Sequence, residues 1–561
     1  MCGIWCYCGK TETGAGAGAA HSKGEIDRCV SSIRPRGPEE TVYNLESTWG
    51  FAFTRLAING LKPGCGSQPF SAGPITWMCN GEIYNHKYLE TSHNLRAHIA
   101  ENGSDCEVIG HLYSVLNKDL IAWARALDGV FAIALYDRET STLVLARDPY
   151  GVRPLYYGYP SEGETLYAAS EIKALPSTAV GVQAFPPGYV ATFTPTNGLK
   201  FHQYHSVPWV KNPMYGVNII QNASELALRG ALEVAVQKRL MTERPVAALL
   251  SGGLDSSLIA ALVQRELKHL GKPPLETYSI GFAGSSDLKY ARLVAKHIGS
   301  IHHEIVSTPE EFFAAIPQVI AAIESPDITT VRASVGNWLV AKYIKENSPS
   351  GAKVVFNGDG SDEVFGSYLY FYSAPTDEAY EAEVDRLLKD IHHFDVLRSD
   401  RSISSHGLEP RTPFLDKQFV AVARSIATKY LRPSETQPEK WLLREAFSKI
   451  PLLPPEVLWR RKEAFSDGVS SQEKPWYQEI KERITVLLPS EAEMKANYPV
   501  LTPLTLEAYY YRKIYDSFYP NALTVPYFWM PRWSGAATDP SARTLAVYKK
   551  IDLSPSTDIK A

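Results

Sequence analysis

Two halves of different class are the fold that this 561-residue sequence predicts: an antiparallel α+β half, then a doubly wound α/β half with a helical end. Three observations predict it. The length exceeds what a single core accommodates. Residues 2–190 are rich in short alternating apolar runs, the period of half-buried strands. From 221 onward, short apolar strands alternate with amphipathic helices, the pattern of a parallel sheet covered on both faces.

In the first half, Trp49–Asn59 and Gly73–Asn80 read as strands, and Phe131–Asp137 and Leu143–Asp148 as a hairpin about the polar Arg138–Thr142. Glu107–Leu116 and Ile121–Leu127 have helical periodicity. Thr11–Ala20 is a low-complexity loop; its G-x-G-x-G follows no strand and opens no helix, so it is not a dinucleotide fingerprint. Pro, Asn, Gly and His accumulate between 195 and 222, and 191–220 reads as a linker. The second half, 221–537, begins with an amphipathic helix over Glu225–Met241 capped by Asn222 or Ser224. Strands at Pro245–Leu250, Leu275–Phe282 and Lys353–Asn357 alternate with helices at Ser256–Leu270 and Asp287–Ile298. From 400 the chain reads as helical and aromatic, and 538–561 as a polar, loosely held tail.

A hydrophobic content of 45%, a charged content of 21% and a net charge of -4 describe a globular protein with no nucleic-acid or membrane-surface partner. No apolar run reaches the ~18 residues of a spanning helix. No charged start precedes an apolar stretch, so the expectation is a cytosolic chain whose seven cysteines are free thiols. Cys2, Cys6 and Cys8 lack zinc-ligand spacing.

Chemistry concentrates in four segments. The chain opens Met1-Cys2-Gly3-Ile4; removal of Met1 would put an α-amine and a thiol on one residue. The amine titrates near ~7.7 and the thiol near ~8.5, so the amine can take the thiol proton. That arrangement makes an N-terminal nucleophile hydrolase, although a cysteine at position two is equally an ordinary buried strand residue. Asn80-Gly81-Glu82-Ile83-Tyr84-Asn85 closes a strand and offers a side-chain amide and a backbone N–H to one oxyanion. Arg55 suits an α-carboxylate and Asp105 an α-amino group. Ser251-Gly252-Gly253-Leu254-Asp255-Ser256-Ser257 follows a strand and opens a helix, where glycines, hydroxyls and the helix N-terminus wrap an anion. It is not a Walker loop, and its SGGLDS form is characteristic of ATP pyrophosphatases. Asn357-Gly358-Asp359-Gly360-Ser361-Asp362-Glu363 also follows an apolar strand and would face the same crevice, making Asp255 and Asp362 candidates to hold Mg²⁺ against phosphates.

With these motifs in place, the chain resembles the glutamine-hydrolysing asparagine synthetases over nearly its whole length, to the closing Thr538-Asp539-Pro540-Ser541-Ala542-Arg543-Thr544. The resemblance implies an αββα N-terminal nucleophile hydrolase sandwich joined to a doubly wound ATP pyrophosphatase domain. It implies Cys2 as the nucleophile, Asn80 and Gly81 as the oxyanion hole, and glutamine held by Arg55, Leu56, Ala57, Ile58, Asn59, Asn80, Gly81, Glu82 and Asp105. It implies ATP contacts from Leu250, Ser251, Gly252, Gly253, Asp255, Ser256, Ile280, Asn357 and Gly358. Thr329, Thr330 and Arg332 match the segment near aspartate and the adenylate, and Lys462 matches a lysine near the phosphates. The implied substrates are glutamine, aspartate and MgATP, and the implied assembly is a homodimer. Two segments depart from the family pattern. N-G-D-G-S-D-E stands where the family has S-G-E-G-S-D-E, so Asp359 replaces a longer carboxylate linked to adenylate formation. Pro35-Arg36-Gly37-Pro38-Glu39 stands where the family has H-R-G-P-D. A glutaminase that has lost synthesis, an amidotransferase acting on another carboxylate, and a non-catalytic scaffold or nucleotide sensor that keeps the fold are the competing readings.

Overall fold

The computed structural model describes residues 2–9, 22–62, 64–100, 103–160, 164–207, 221–471, 473–485, 490–520, 522–535 and 537–550. The loop Thr11–Ala20, and 208–220 of the linker, lie outside the described residues.

The strands of the first half are β1 Gly3–Cys8, β2 Glu40–Leu45, β3 Trp49–Arg55, β4 Phe70–Ala72, β5 Ile75–Ile83, β6 Gly129–Asp137, β7 Thr142–Arg147, β8 Tyr156–Pro160, β9 Leu166–Ala169, β10 Ala179–Ala184, β11 Tyr189–Thr194 and β12 Gly198–Gln203. They make two six-stranded sheets, ordered β10-β8-β9-β1-β3-β2 and β12-β11-β7-β6-β5-β4. The two-residue period of each strand assigns its side chains to layers. On β1, Ile4, Cys6 and Cys8 point between the sheets with Phe51, Phe53, Met78 and Leu145, whereas Trp5 and Tyr7 point outward with Ile26, Cys29, Val30 and Ile33 of the helix Lys23–Ile33. On β5, Met78 faces inward while Trp77 and Cys79 face Ile109, Leu112 and Trp123 of the helices Val108–Val115 and Leu120–Ala126. The result is helix, sheet, sheet, helix. β5 runs on to Ile83, so Asn80 and Gly81 lie within a strand rather than at its end.

Part of the segment read as a linker is β12, paired with β11 from Tyr189↔Gln203 to Thr194↔Gly198. Its Asn197-Gly198 is a hairpin turn, and Lys200, His202 and Gln203 are exposed on an edge strand, so no apolar alternation announces it.

The second half contributes β13 Val246–Leu249, β14 Glu276–Phe282, β15 Ile301–Ser307, β16 Val354–Phe356 and β17 Glu409–Arg411, all parallel and ordered β15-β14-β13-β16-β17. Helices cover both faces. Leu258, Ile259 and Leu262 pack with Leu228 and Leu232 on one side, and Ile316, Val331 and Val335 fill the other. Strand order reverses between β13 and β16, and the crevice beyond their carboxyl ends is where such sheets bind ligands. Three readings change. The first helix spans Gln221–Lys238, so Asn222 and Ser224 lie inside it and do not cap it. β17 interrupts the stretch read as helical, and its three residues around Pro410 are too few to show a period. The tail is not loose up to 548: Asp539 and Ser541 are buried, and the strap they begin is fastened by ion pairs described below.

The halves meet through a shared core in which Leu56, Ile58, Val130, Tyr150 and Val152 pack with Leu228, Leu250 and Leu254. Beside it, Arg36 joins Glu171 to Asp400 at 2.6 and 2.8 Å, and Arg401 joins Glu171 to Glu324 at 3.0 and 3.1 Å, all buried.

Candidate active sites

The first cavity opens beside residue two. It is lined by Cys2, Arg55–Asn59, Gly81, Glu82 and Asp105, with Gln68, Cys79 and Cys106. Cys2 opens β1, next to β3, which places its thiol over the Arg55–Asn59 segment; Sγ donates to the Leu56 carbonyl at 3.8 Å. Burial pushes the thiol pKa up, so it rests protonated and needs an adjacent base. The α-nitrogen of Cys2 donates to Asn80 Oδ1 at 3.0 Å. That bond fixes the amide orientation and leaves Asn80 Nδ2 buried and, among the described residues, without a partner. An unpaired buried donor costs about 1–3 kcal/mol, and a developing oxyanion would relieve that cost. Gly81 is required here because a Cβ would stand 2.1 Å from the Val130 carbonyl oxygen.

The opposite wall is acidic. Asn59 Nδ2 donates to Glu82 Oε2 at 2.7 Å and to Asp105 Oδ1 at 3.4 Å, and Asp105 Oδ2 accepts from the Ile83 N–H at 2.6 Å. Burial, then the neighbouring Asp105 charge, pushes the Glu82 carboxyl well up; burial likewise raises Asp105. An incoming ammonium would restore both to the charged form. Arg55 is held by the Gly60 carbonyl at 2.8 Å and lies 3.7 Å from Glu40. Its guanidinium also faces Gly66, where a Cβ would stand 2.6 Å from Nη2.

The second cavity lies at the strand-order reversal. Leu250, Ser251, Gly253, Asp255, Ser256, Ile280, Thr329, Asn357, Gly358, Asp359, Asp362 and Lys462 all line it. Gly253 precedes the helix Leu254–His269 with no side-chain cap, leaving first-turn N–H groups to a ligand. Gly252 does not line this cavity. It has φ 72°, and a Cβ would stand 2.5 Å from the Ala291 nitrogen, so it makes the turn rather than the contact. The two motif loops touch: a Cβ on Gly358 would stand 2.7 Å from the Ser256 nitrogen, and Ser361 Oγ donates to Asp255 Oδ1 at 2.8 Å.

Charges here are paired. Lys440 Nζ donates to Asp255 Oδ2 and Asp362 Oδ1, each at 2.6 Å, and Lys462 Nζ lies 2.6 Å from Asp362 Oδ2. Burial alone would raise the Asp362 carboxyl, but Lys440 and Lys462 hold it well below the usual carboxylate range; Asp362 and Asp255 in turn hold Lys462 protonated against burial. Asp359 Oδ1 accepts from Arg398 at 3.1 Å, and the same guanidinium reaches Asp395 at 2.7 Å. Asp359 Oδ2 has no partner among the described residues. Asn357 Nδ2 donates to Ser399 at 2.7 Å, and its Oδ1 accepts the Asp359 N–H at 3.3 Å. The two departures in this loop are therefore tied to one helix, Asp395–Ser404, through Ser399 and Arg398. In the other departing segment, Glu39 accepts from the Ala57 N–H at 2.7 Å and pairs with Arg244 at 3.0 Å.

Besides Gly252, two expected contacts do not reach this cavity. Thr330 is buried with its hydroxyl on Asp327 at 2.8 Å. Arg332 is clamped by Glu507 at 2.6 Å and by Asp539 at 2.8 Å. The tail continues from that clamp: Ser541 reaches Asp467 at 2.8 Å, Arg543 pairs with Glu463, and Arg461 donates to the Tyr548 carbonyl at 2.7 Å. Arg332 therefore anchors the strap, its buried guanidinium fork filled by the Glu507 and Asp539 carboxylates. Lys440, Arg398 and Gln68 line the cavities although nothing in the sequence singles them out. No motif marks them; Lys440 acts on Asp255 and Asp362, Arg398 on Asp359 and Asp395, and Gln68 accepts from the Cys79 N–H.

A thiol at residue two beside an acidic pocket, joined to a glycine- and hydroxyl-rich strand–helix loop in a doubly wound sheet, is the arrangement of a two-site amidotransferase. Comparison with known proteins is specific. The glutamine amidotransferase domain pattern matches residues 1–206, and the asparagine synthase pattern matches 227–388 and 375–538. The chain is 41% identical to the glutamine-hydrolysing asparagine synthetase of Gallus gallus, and 40% and 39% identical to those of Bos taurus and Homo sapiens, each over 98% of this chain and 99% of the relative. The chain belongs to the glutamine-hydrolysing asparagine synthetase family.

Proposed function

We propose that the protein makes asparagine from aspartate with glutamine as nitrogen donor and ATP as activator. In the first cavity Cys2 Sγ attacks the glutamine amide carbon while its proton passes to the α-amine exposed by loss of Met1. Asn80 Nδ2 and the Gly81 N–H receive the oxyanion. Collapse forms the thioester and expels ammonia, and water then releases glutamate. Arg55 grips the α-carboxylate, and Glu82 and Asp105 take the α-ammonium. The observation that carries this half is the split Asn80 amide, whose oxygen is spent on the nucleophile's own nitrogen while its N–H₂ stays free.

In the second cavity the Ser251–Ser256 loop holds the polyphosphate, and Lys462 neutralises charge on the leaving pyrophosphate. Asp255 and Asp362 are the residues that would hold magnesium. Their carboxylates already converge on one cationic group, and a divalent ion there supplies charge neutralisation of the phosphates. Aspartate's β-carboxylate attacks the α-phosphorus, releasing pyrophosphate and leaving β-aspartyl-AMP; ammonia then attacks the acyl carbon and AMP departs. Asp359, with a free buried oxygen, faces the acceptor. Ammonia must remain neutral to react, and the apolar core shared by the halves disfavours ammonium. A cytosolic homodimer is the assembly that the family likeness supports; among the described residues no helix is long and apolar enough to cross a membrane.

The test is Cys2→Ala. Glutamine-dependent asparagine formation falls by at least about 10⁴-fold, while synthesis from added ammonia stays within about twofold of the parent. Loss of both activities, or AMP formation only with another carboxylic acid, overturns the reading.

A further inference from the structure

Lys440 is the feature of the second cavity that the phosphate loop and Lys462 do not account for. Its side chain is 1% exposed, and its ammonium lies 2.6 Å from a carboxylate oxygen of each of Asp255 and Asp362. Its backbone is left-handed, with φ 57° and ψ 26°, immediately before the helix Trp441–Ser448. A lysine seldom occupies that conformation, and surroundings must hold it there. Glu439 supplies the hold: it accepts from Arg444 at 2.6 Å and from the Lys462 N–H at 3.0 Å, and Tyr372 donates to it at 3.1 Å. The scaffold thus directs one ammonium to the point where the two carboxylates converge.

Electrostatics gives that position a purpose. Two carboxylates that converge on one point repel, and a cation placed between them relieves that repulsion. Lys440 is that cation, and a divalent ion held by the same two carboxylates would have to take its place. Lys462 also pairs with Asp362, at 2.6 Å, but lies farther from Asp255, at 3.9 Å, so Lys440 is the cation in close contact with both. Beyond these, Ser361 donates to Asp255 and Ser367 to Asp362, at 2.8 and 2.6 Å.

We infer that Lys440 is a resident cation that occupies the magnesium position between Asp255 and Asp362 and is displaced from it by the incoming metal–nucleotide. No bond is made or broken; one cation exchanges for another. The displaced ammonium is then released beside the polyphosphate. The consequence is ordered loading: divalent metal alone binds poorly, and metal bound to nucleotide binds well because the phosphates accept what Lys440 gives up. This inference rests on the ATP-dependent reading of the cavity.

The experiment measures free Mn²⁺ by electron paramagnetic resonance with full-length protein and no nucleotide. The parent protein is expected to show weak Mn²⁺ binding, and Lys440→Met to bind at least about tenfold more tightly. The double variant Lys440→Met/Asp362→Asn loses that gain. In Lys440→Met, pyrophosphate release with Mn²⁺- or Mg²⁺-ATP falls by about 10²-fold. Its glutaminase rate, which also reports folding, stays within twofold. Equal Mn²⁺ binding by parent and Lys440→Met, in a parent that makes asparagine, overturns the inference and leaves the function intact. A parent that releases no pyrophosphate from any acid overturns the ATP-dependent reading instead. If Lys440→Met also loses glutaminase, Lys440→Gln is measured in its place: tighter Mn²⁺ binding than the parent supports the exchange, and equal binding overturns it.

Discussion

The two cavities solve opposite problems. Around Cys2 the polar groups are incomplete: Asn80 Nδ2 lacks a partner among the described residues, and Glu82 and Asp105 share one amide donor. Around Asp362 nearly every charge is already matched, by Lys440, Lys462 and Arg398. Glutamine brings compact charges that fit fixed vacancies, so the first pocket can wait open. A polyphosphate brings several charges at once. The second pocket therefore keeps its acids and bases satisfied by one another until exchange is possible. Preorganisation takes the form of vacancy in one half and of internal pairing in the other.

That contrast can be broken at graded points. The largest effect is expected from Asp255→Asn. It removes a carboxylate from the paired set and lowers pyrophosphate release by about 10³-fold or more, with glutaminase unchanged; equal loss in both assays would erase the separation of the cavities. Next is Asn80→Ala, which removes the waiting donor. Glutaminase kcat drops by about 10²–10³ while KM moves little, and ammonia-dependent synthesis persists. A drop in binding alone would mean that the amide holds substrate rather than the oxyanion.

Arg332→Leu probes pairing outside both cavities. Leaving Glu507 and Asp539 buried without their guanidinium costs about 3–5 kcal/mol, read as a lower denaturation midpoint, and frees the strap that fastens Arg461 and Glu463. Synthesis should fall with stability, and glutaminase should survive below the new midpoint. An unchanged midpoint would return Arg332 to the substrate. The smallest effect concerns acid stability. Burial alone would raise Asp416, but Arg239 and Lys238 lower it to about 2, and Lys238 also pairs with Asp128 of the first half. A depressed carboxylate stabilises fully above its unfolded value near ~3.9, and that contribution is lost as pH falls toward the folded value. Denaturant titrations should show about 2 kcal/mol disappearing between pH ~4 and ~2, and Asp416→Asn should flatten that slope.

Legibility follows range. Residues contiguous in the chain are readable, because a phosphate loop is recognised from the strand before it and the helix after it. Asn80 and Gly81 are readable as a pair although β5 runs through them, since the chemistry needs the residue types and not the strand's end. Lys440 is not readable: it is 185 positions from Asp255 and sits in a helix start that resembles any other. Asp539 reads as tail because its partner, Arg332, lies 207 positions away. β12 reads as linker because an exposed edge strand carries no apolar period.

By itself the sequence determined the chemical inventory: a thiol at residue two, an Asn-Gly pair, a glycine-hydroxyl loop and two acidic motifs, each written in neighbouring residues and therefore fixed by local backbone geometry. Only the tertiary structure decided which charges meet: Lys440 between two aspartates, Arg398 on Asp359, Arg332 on the strap. Ion pairing is a matter of proximity in space, and strand order and helix packing, not chain spacing, set that proximity.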